Sequence, residues 1–487
     1  MKSSKMPVSR KGRVQVEAMQ DIVRSYDEAT RKATKQSSML WLILFIALLF
    51  VCSWTKLLHK ADPIQYYICN RRAGVTATSF SMLASCIGGS ATLGVIGLAW
   101  QVGIPAFWWL GAGVAGLLVL AFFLARKVRG SRAKTMPEML EKQLGQTFRS
   151  GCAIIILVAY VPIVAAQLSA QALIISSIGN LDHLAALLGG AFFLYAYTAL
   201  GGQNAVMKSD IWQFVILMCA IGLILFFCLS MPQGRAALAD TPPVLLNQKF
   251  PPQKLVYYLL ILGGSFVVGP MLYGRLLSSR SQATAKKSCI ASAGGLFVIA
   301  AAITAIGISL HGILPPDNFG ADFRAEDILG IFVREKMPPW ASAPILLGLL
   351  SAIVSSADSC LFTAASIVAN DLFKKPGTGF CRAAMGVLVI AACFLALQGK
   401  GILNLLLIAN DIYACGIVPP VFIAIICSGR KMHPGIMTCA LACGGCAGAV
   451  ASVLHNEYLS ITAFALSLFI SLLAIWAQGL RSLRFSA

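Results

Sequence analysis

Thirteen apolar stretches, most near the ~20 residues needed to cross a bilayer, leave this chain few folds to adopt. In lipid every backbone N–H and C=O must be paired within the span, so such stretches become helices. They are read at 39–56, 76–104, 105–125, 150–178, 183–201, 211–231, 255–274, 288–313, 340–372, 383–397, 402–428, 434–454 and 458–478. The longest connections, 126–149, 232–254 and 314–339, leave no room for a soluble domain. The expected fold class is an all-α polytopic membrane protein of about 13 transmembrane helices.

Composition narrows the function. Hydrophobic residues make up 58% of the chain and charged residues 12%, about half the share in soluble proteins. That excludes an ordinary soluble enzyme, a disordered chain and a secreted disulfide scaffold. The net charge of +20 would suggest nucleic acid in a soluble protein. Here no basic patch is interleaved with aromatics, so no nucleic-acid partner is expected, and the bilayer is the partner surface. Basic residues concentrate in alternate gaps, including 126–149 and the run Arg275 to Lys287. The positive-inside rule then puts the C-terminus in the cytoplasm of a plasma membrane, as in a bacterial inner membrane, and the N-terminus outside. The nine basic residues of 1–38 run against that assignment, although long tails translocate regardless of charge. Within that tail Val16, Met19, Val23 and Tyr26 recur at helical spacing. Most of the fifteen cysteines lie in apolar runs and act as small apolar side chains. Cys439, Cys443 and Cys446 have ligand-like spacing, but glycines surround them and no histidine joins them, so they are read as helix packing.

Two segments are interrupted. The second contains Cys86-Ile87-Gly88-Gly89-Ser90, and the seventh contains Gly263-Gly264-Ser265 and Gly269-Pro270. Glycine weakens a helix, and proline removes a donor and clashes with the preceding turn. Freed carbonyls must face protein, water or an ion. The interruptions lie five spans apart, so their helices run in opposite directions. Two inverted five-helix repeats are expected, 76–231 and 255–428. A basic tail (1–38) and an extra helix with its loop (39–75) precede them, and two helices with a short tail (434–487) follow. Paired broken helices point to a transporter with its site at the midplane, whereas one glycine-rich run alone would be read as close packing.

The ninth segment carries Ser351-Ala352-Ile353-Val354-Ser355-Ser356-Ala357-Asp358-Ser359-Cys360. Ala352, Ser355, Ser356 and Ser359 share a stripe, with Asp358 on an adjacent face. An aspartate at membrane depth marks a partner or an ion path. Carbonyls of the second segment and hydroxyls of the ninth offer neutral oxygens, which suit a hard cation such as sodium that must later leave.

The stretch Tyr66 to Gly103, the run Gly201 to Gln213 (GGQNAVMKSDIWQ) and the run Ser351 to Phe373 (SAIVSSADSCLFTAASIVANDLF) resemble the sodium/solute symporter family. The resemblance implies a LeuT-type 5+5 inverted repeat with one helix before and two after. It also implies sodium as coupling ion, no organic cofactor and no other metal. Matched motif to motif, it places one sodium on the carbonyls of Ala84, Ile87 and Ala352 and the hydroxyls of Ser355 and Ser356. Asp210, Ser355, Asp358 and Ser359 match a second site, for a cation or a proton. In the competing reading Asp358 bonds a neighbouring helix and Asp210 caps one. Ala91 and Cys86 depart from the sugar and proline carriers of the family, so neither solute is supported.

Repeat geometry puts the solute among Ser90, Thr92, Gln167, Gln171, Ser265, Asn410, Asp411 and Tyr413. Trp108 and Trp109 are read as part of an aromatic belt. No nucleophile–base pair, HExxH run or phosphate loop argues for an enzyme. The expected function is sodium-coupled import of a small polar organic solute by alternating access. A proton-coupled carrier on the same fold and a non-transporting solute sensor are the alternatives.

Overall fold

The computed structural model describes residues 40–51, 63–179, 181–320, 323–398, 402–430 and 432–484. The basic tail and the helical spacing around Val16 lie outside them. Among the described residues the chain is helical, with only isolated bridges in place of strands. Ten helices among the described residues are long and apolar enough to cross a membrane, one bent pair adds an eleventh, and Leu40–Val51 is a shorter apolar helix.

The main helices are α1 (Leu40–Val51), α2 (Val75–Cys86), α3 (Val95–Val102), α4 (Trp108–Val119), α5 (Met136–Gly179) and α6 (His183–Ser230). A second set follows: α7 (Pro252–Tyr257), α8 (Gly264–Val267), α9 (Pro270–Ser278), α10 (Gln282–Ile313), α11 (Pro339–Ile367), α12 (Thr378–Ala396) and α13 (Ile402–Ile426). Two closing helices are α14 (Pro434–Val453) and α15 (Glu457–Arg484).

The sequence reading divides α6 into two segments, 183–201 and 211–231. The structure agrees. A straight run over all 48 residues would reach about 72 Å, over twice a bilayer core of about 30 Å. Instead two helical spans meet at Gly202, where φ 59° and ψ −159° leave the helical path. Only glycine fits there, because a methyl would lie 2.6 Å from the ring of Tyr66.

Both expected breaks are present. α2 and the helix that follows bend by 67° around Ile87 (φ −116°, ψ 89°). Between α8 and α9, Val268 adopts nearly the same conformation (φ −121°, ψ 74°), and Pro270 opens α9. Proline is favoured at a first helical turn, where its missing N–H costs nothing.

α11 sits at the centre. In its most apolar window 94% of the residues are buried, against 39% for α12 and 33% for α15, which face outward. It packs against α6 and α5. Gly348 permits the contact with α6, since a methyl there would lie 2.1 Å from Ala220 Cβ. Small residues at such crossings let backbones approach where lipid offers no hydrophobic drive.

Candidate functional site

The α2 break meets α11. Ser355 Oγ donates to the Ala84 carbonyl at 2.9 Å and lies 3.0 Å from the Ala352 carbonyl. Ser356 Oγ donates to the Ser85 carbonyl at 3.2 Å. Ile87 sits at the bend, fully buried. A methyl on Gly88 would stand 3.0 Å from Ser356 Oγ, so the broken backbone runs directly against the serine pair. Gln167 of α5 holds the other side, accepting from Gly89 N–H at 2.9 Å. The five residues expected around one cation are thus brought into one neighbourhood.

The second break is finished differently. The Val268 carbonyl accepts from Tyr413 Oη, and the Val267 carbonyl accepts from Tyr273 Oη at 3.2 Å. A tyrosine hydroxyl on a rigid ring locks a carbonyl. A serine hydroxyl can rotate and turn its lone pairs toward a cation. Of the two breaks, the one in α2 is chemically suited to an ion.

Asp210, Asp358 and Ser359 also come together, with an addition. Asp210 and Asp358 are fully buried, and between α2, α6 and α11 lies the guanidinium of Arg275, 1% exposed. Its Nη2 pairs with Asp210 Oδ2 at 2.9 Å and donates to Ser359 Oγ at 2.6 Å and to Ser85 Oγ. Its Nε donates to Ser81 Oγ at 2.7 Å. Ser81 Oγ in turn donates to Asp210 Oδ2. Tyr197 Oη of α6 donates to Asp358 Oδ2. The sequence reading counts Arg275 among the basic residues of an inner loop. Instead α9 carries it inward, four residues past Met271, whose carbonyl it also binds at 2.9 Å. One signal was present: Arg275 has Tyr273, Leu276 and Leu277 as close neighbours in sequence, whereas a loop arginine normally has polar ones.

Beside the break lies a cavity of about 120 Å³, lined mainly by apolar and aromatic side chains. Gln167, Ser265, Asn410 and Tyr413 line it as expected, and Ser265 Oγ donates to Asn410 Oδ1 at 3.1 Å. Other expected residues lie elsewhere. The Thr92 hydroxyl bonds back to the Gly88 carbonyl at 3.1 Å, within its own turn. Gln171 turns to the Gly190 carbonyl at 3.2 Å and lines a separate hollow near α1. Asp411 accepts from Tyr257 Oη at 2.9 Å and lines a separate hollow with Lys254, His455 and Glu457. Asn410 and Tyr413 are three apart on α13 and share a face, whereas Asp411 is turned about 100° from Asn410. The Ser90 side chain lies outside the described residues. Trp109, read as belt, is buried and lines the cavity against Tyr258, as does Tyr160. No charged side chain appears among the described lining residues.

Comparison with known proteins agrees with this architecture. A Na+-coupled sialic acid symporter in a substrate-bound outward-open state superposes with a TM-score of 0.77, covering 89% of this chain and 96% of that one at 15% identity. MhsT in complex with L-phenylalanine superposes at 0.57, covering 83% and 98% at 11% identity. The arrangement is the LeuT-type fold. In sequence, the chain is 23% identical to the sodium/glucose cotransporter of Vibrio parahaemolyticus, over 69% of each chain. It is 24% identical to the human high affinity choline transporter 1, over 80% of this chain and 69% of that one. Identity to the sodium/proline symporter of Haemophilus influenzae is 26%, over 65% and 66%. The profile of the sodium:solute symporter family matches residues 66–442, and this multi-pass membrane protein belongs to that family.

Proposed function

We propose that the protein is a sodium-coupled symporter that imports a small polar organic solute by alternating access. The observation that carries the reading is the meeting of the α2 break with Ser355 and Ser356. Sodium binds there to the carbonyls of Ala84, Ile87 and Ala352 and to the two hydroxyls, and ties α2 to the central helix α11. The solute binds beside it, in the cavity of Gln167, Ser265 and Asn410. Because no charged side chain appears among the described lining residues, a solute without a net charge suits the cavity. Sodium bound from outside favours the outward-facing state, and its loss inward past Ser356 and Asp210 releases the solute. Each inward charge contributes about 2.3 kcal/mol per 100 mV.

The same reading places the two repeats at 76–231 and 255–428. It sets the chain in a plasma membrane, of the bacterial inner-membrane kind, with its C-terminus in the cytoplasm. The distribution of basic residues supports that side.

A proton-coupled carrier is the second reading, supported by the buried contact of Asp358 with Tyr197. An uptake screen in proteoliposomes separates the two. With an inward sodium gradient, uptake of the accepted solute is expected, and it is lost when choline replaces sodium at fixed pH. Uptake that survives the replacement contradicts sodium coupling. Ser355→Ala with Ser356→Ala is expected to abolish the sodium-driven part, and unchanged uptake in that variant contradicts the site.

A further inference from the structure

The hollow between α2, α6, α9 and α11 holds two carboxylates and one guanidinium. Asp210 Oδ2 is taken by Arg275 and Ser81, while Asp210 Oδ1 is buried without a hydrogen-bond partner. Asp358 accepts from Tyr197 and lies 3.0 Å from Ser359 Oγ. The group adjoins the α2 break through shared residues. The Ser85 hydroxyl contacts Arg275 while its carbonyl accepts from Ser356. Ser359 accepts from Arg275 and donates to the Ser355 carbonyl at 2.7 Å.

We propose that the Arg275 guanidinium is a tethered cation that fills the hollow between Asp210 and Asp358, so that the chain takes one sodium ion and no second. The inference rests on the sodium reading above and fixes its ion number. Arg275 already supplies the positive charge that Asp210 is paired with, and a second cation placed beside the guanidinium would be repelled at membrane depth, which is costly. The hydroxyls of Ser81, Ser85 and Ser359, which would otherwise solvate an ion, are already engaged by Arg275. Arg275 has a second consequence. It arises on α9, just after the second break, and binds α2, just before the first, so one side chain joins the two repeats beside the ion.

The test is equilibrium binding of 22Na+ to the purified full chain, with no solute required. Wild type is expected to bind one ion per chain without cooperativity. Arg275→Lys keeps one. Arg275→Gln leaves two carboxylates uncompensated and is expected to bind two ions cooperatively. Two ions bound by wild type overturn the inference and leave the sodium reading standing, and this outcome needs no variant to fold. A folded Arg275→Gln variant that still binds one ion with unchanged affinity also overturns it. Wild type that binds no 22Na+ overturns the sodium reading itself, and the inference with it.

Discussion

A methyl group on Gly88 would lie 2.7 Å from Gln167 Nε2 and 3.0 Å from Ser356 Oγ, against atoms that frame the α2 break. Gly88→Ala is therefore expected to push Ser356 and Gln167 aside and weaken sodium binding by roughly tenfold, the loss of about 1.4 kcal/mol of contact. Gly74, just before α2, has nothing within 4 Å of an added methyl, and Gly74→Ala should leave binding unchanged. Comparing the sodium concentrations that half-saturate 22Na+ binding in the two variants checks both. Tyr413→Phe removes the donor to the Val268 carbonyl and leaves that carbonyl buried. A cost of about 1–3 kcal/mol is expected, read as a lower midpoint in detergent denaturation. At this scale the serine pair was legible, because small polar residues at helical spacing inside an apolar span have few other uses. Arg275 was not legible as an interior residue. A charge near the end of a span is normally in water, and only the reach of α9 toward α2 brings it inside.

The two broken helices carry the mechanism at the scale of elements. Their backbones depart from helix in almost the same way, at Ile87 and at Val268, yet one meets serines and the other tyrosines. The break positions could be read from glycine and proline alone, which fail as helix formers wherever they stand. The tyrosine at the second break could not, since Tyr413 stands 145 residues from Val268 and nothing local marks the pairing. The two spans of α6 were legible for the same reason as the breaks, since Gly201-Gly202-Gln203-Asn204 interrupts the apolar pattern at the kink. Asp411 was misplaced by one residue of helical phase, which is beyond what hydropathy fixes on a helix apolar all round. The close crossing of α11 with α6 gives a direct check. Gly348→Leu is expected to destabilise the protein by about 1–3 kcal/mol through overpacking. The loss should appear as reduced monodisperse yield and a lower unfolding midpoint, while Gly222→Leu on α6, with open space around it, should have little effect.

Across the whole molecule, α11 is a buried post, and both the α2 break and the cavity beside it are built against it. A ligand that binds only the assembled break must stabilise the whole fold, because α2, α5 and α11 have to be in place together. At a sodium concentration about 100 times Kd, that linkage is worth about 2.7 kcal/mol. The most direct measurement is thermal unfolding of the purified protein in sodium chloride and in choline chloride at equal ionic strength. The account predicts a higher midpoint in sodium for wild type, and no difference for Ser355→Ala with Ser356→Ala. Equal midpoints in the two salts for wild type, or a sodium effect that persists in the double variant, would contradict it.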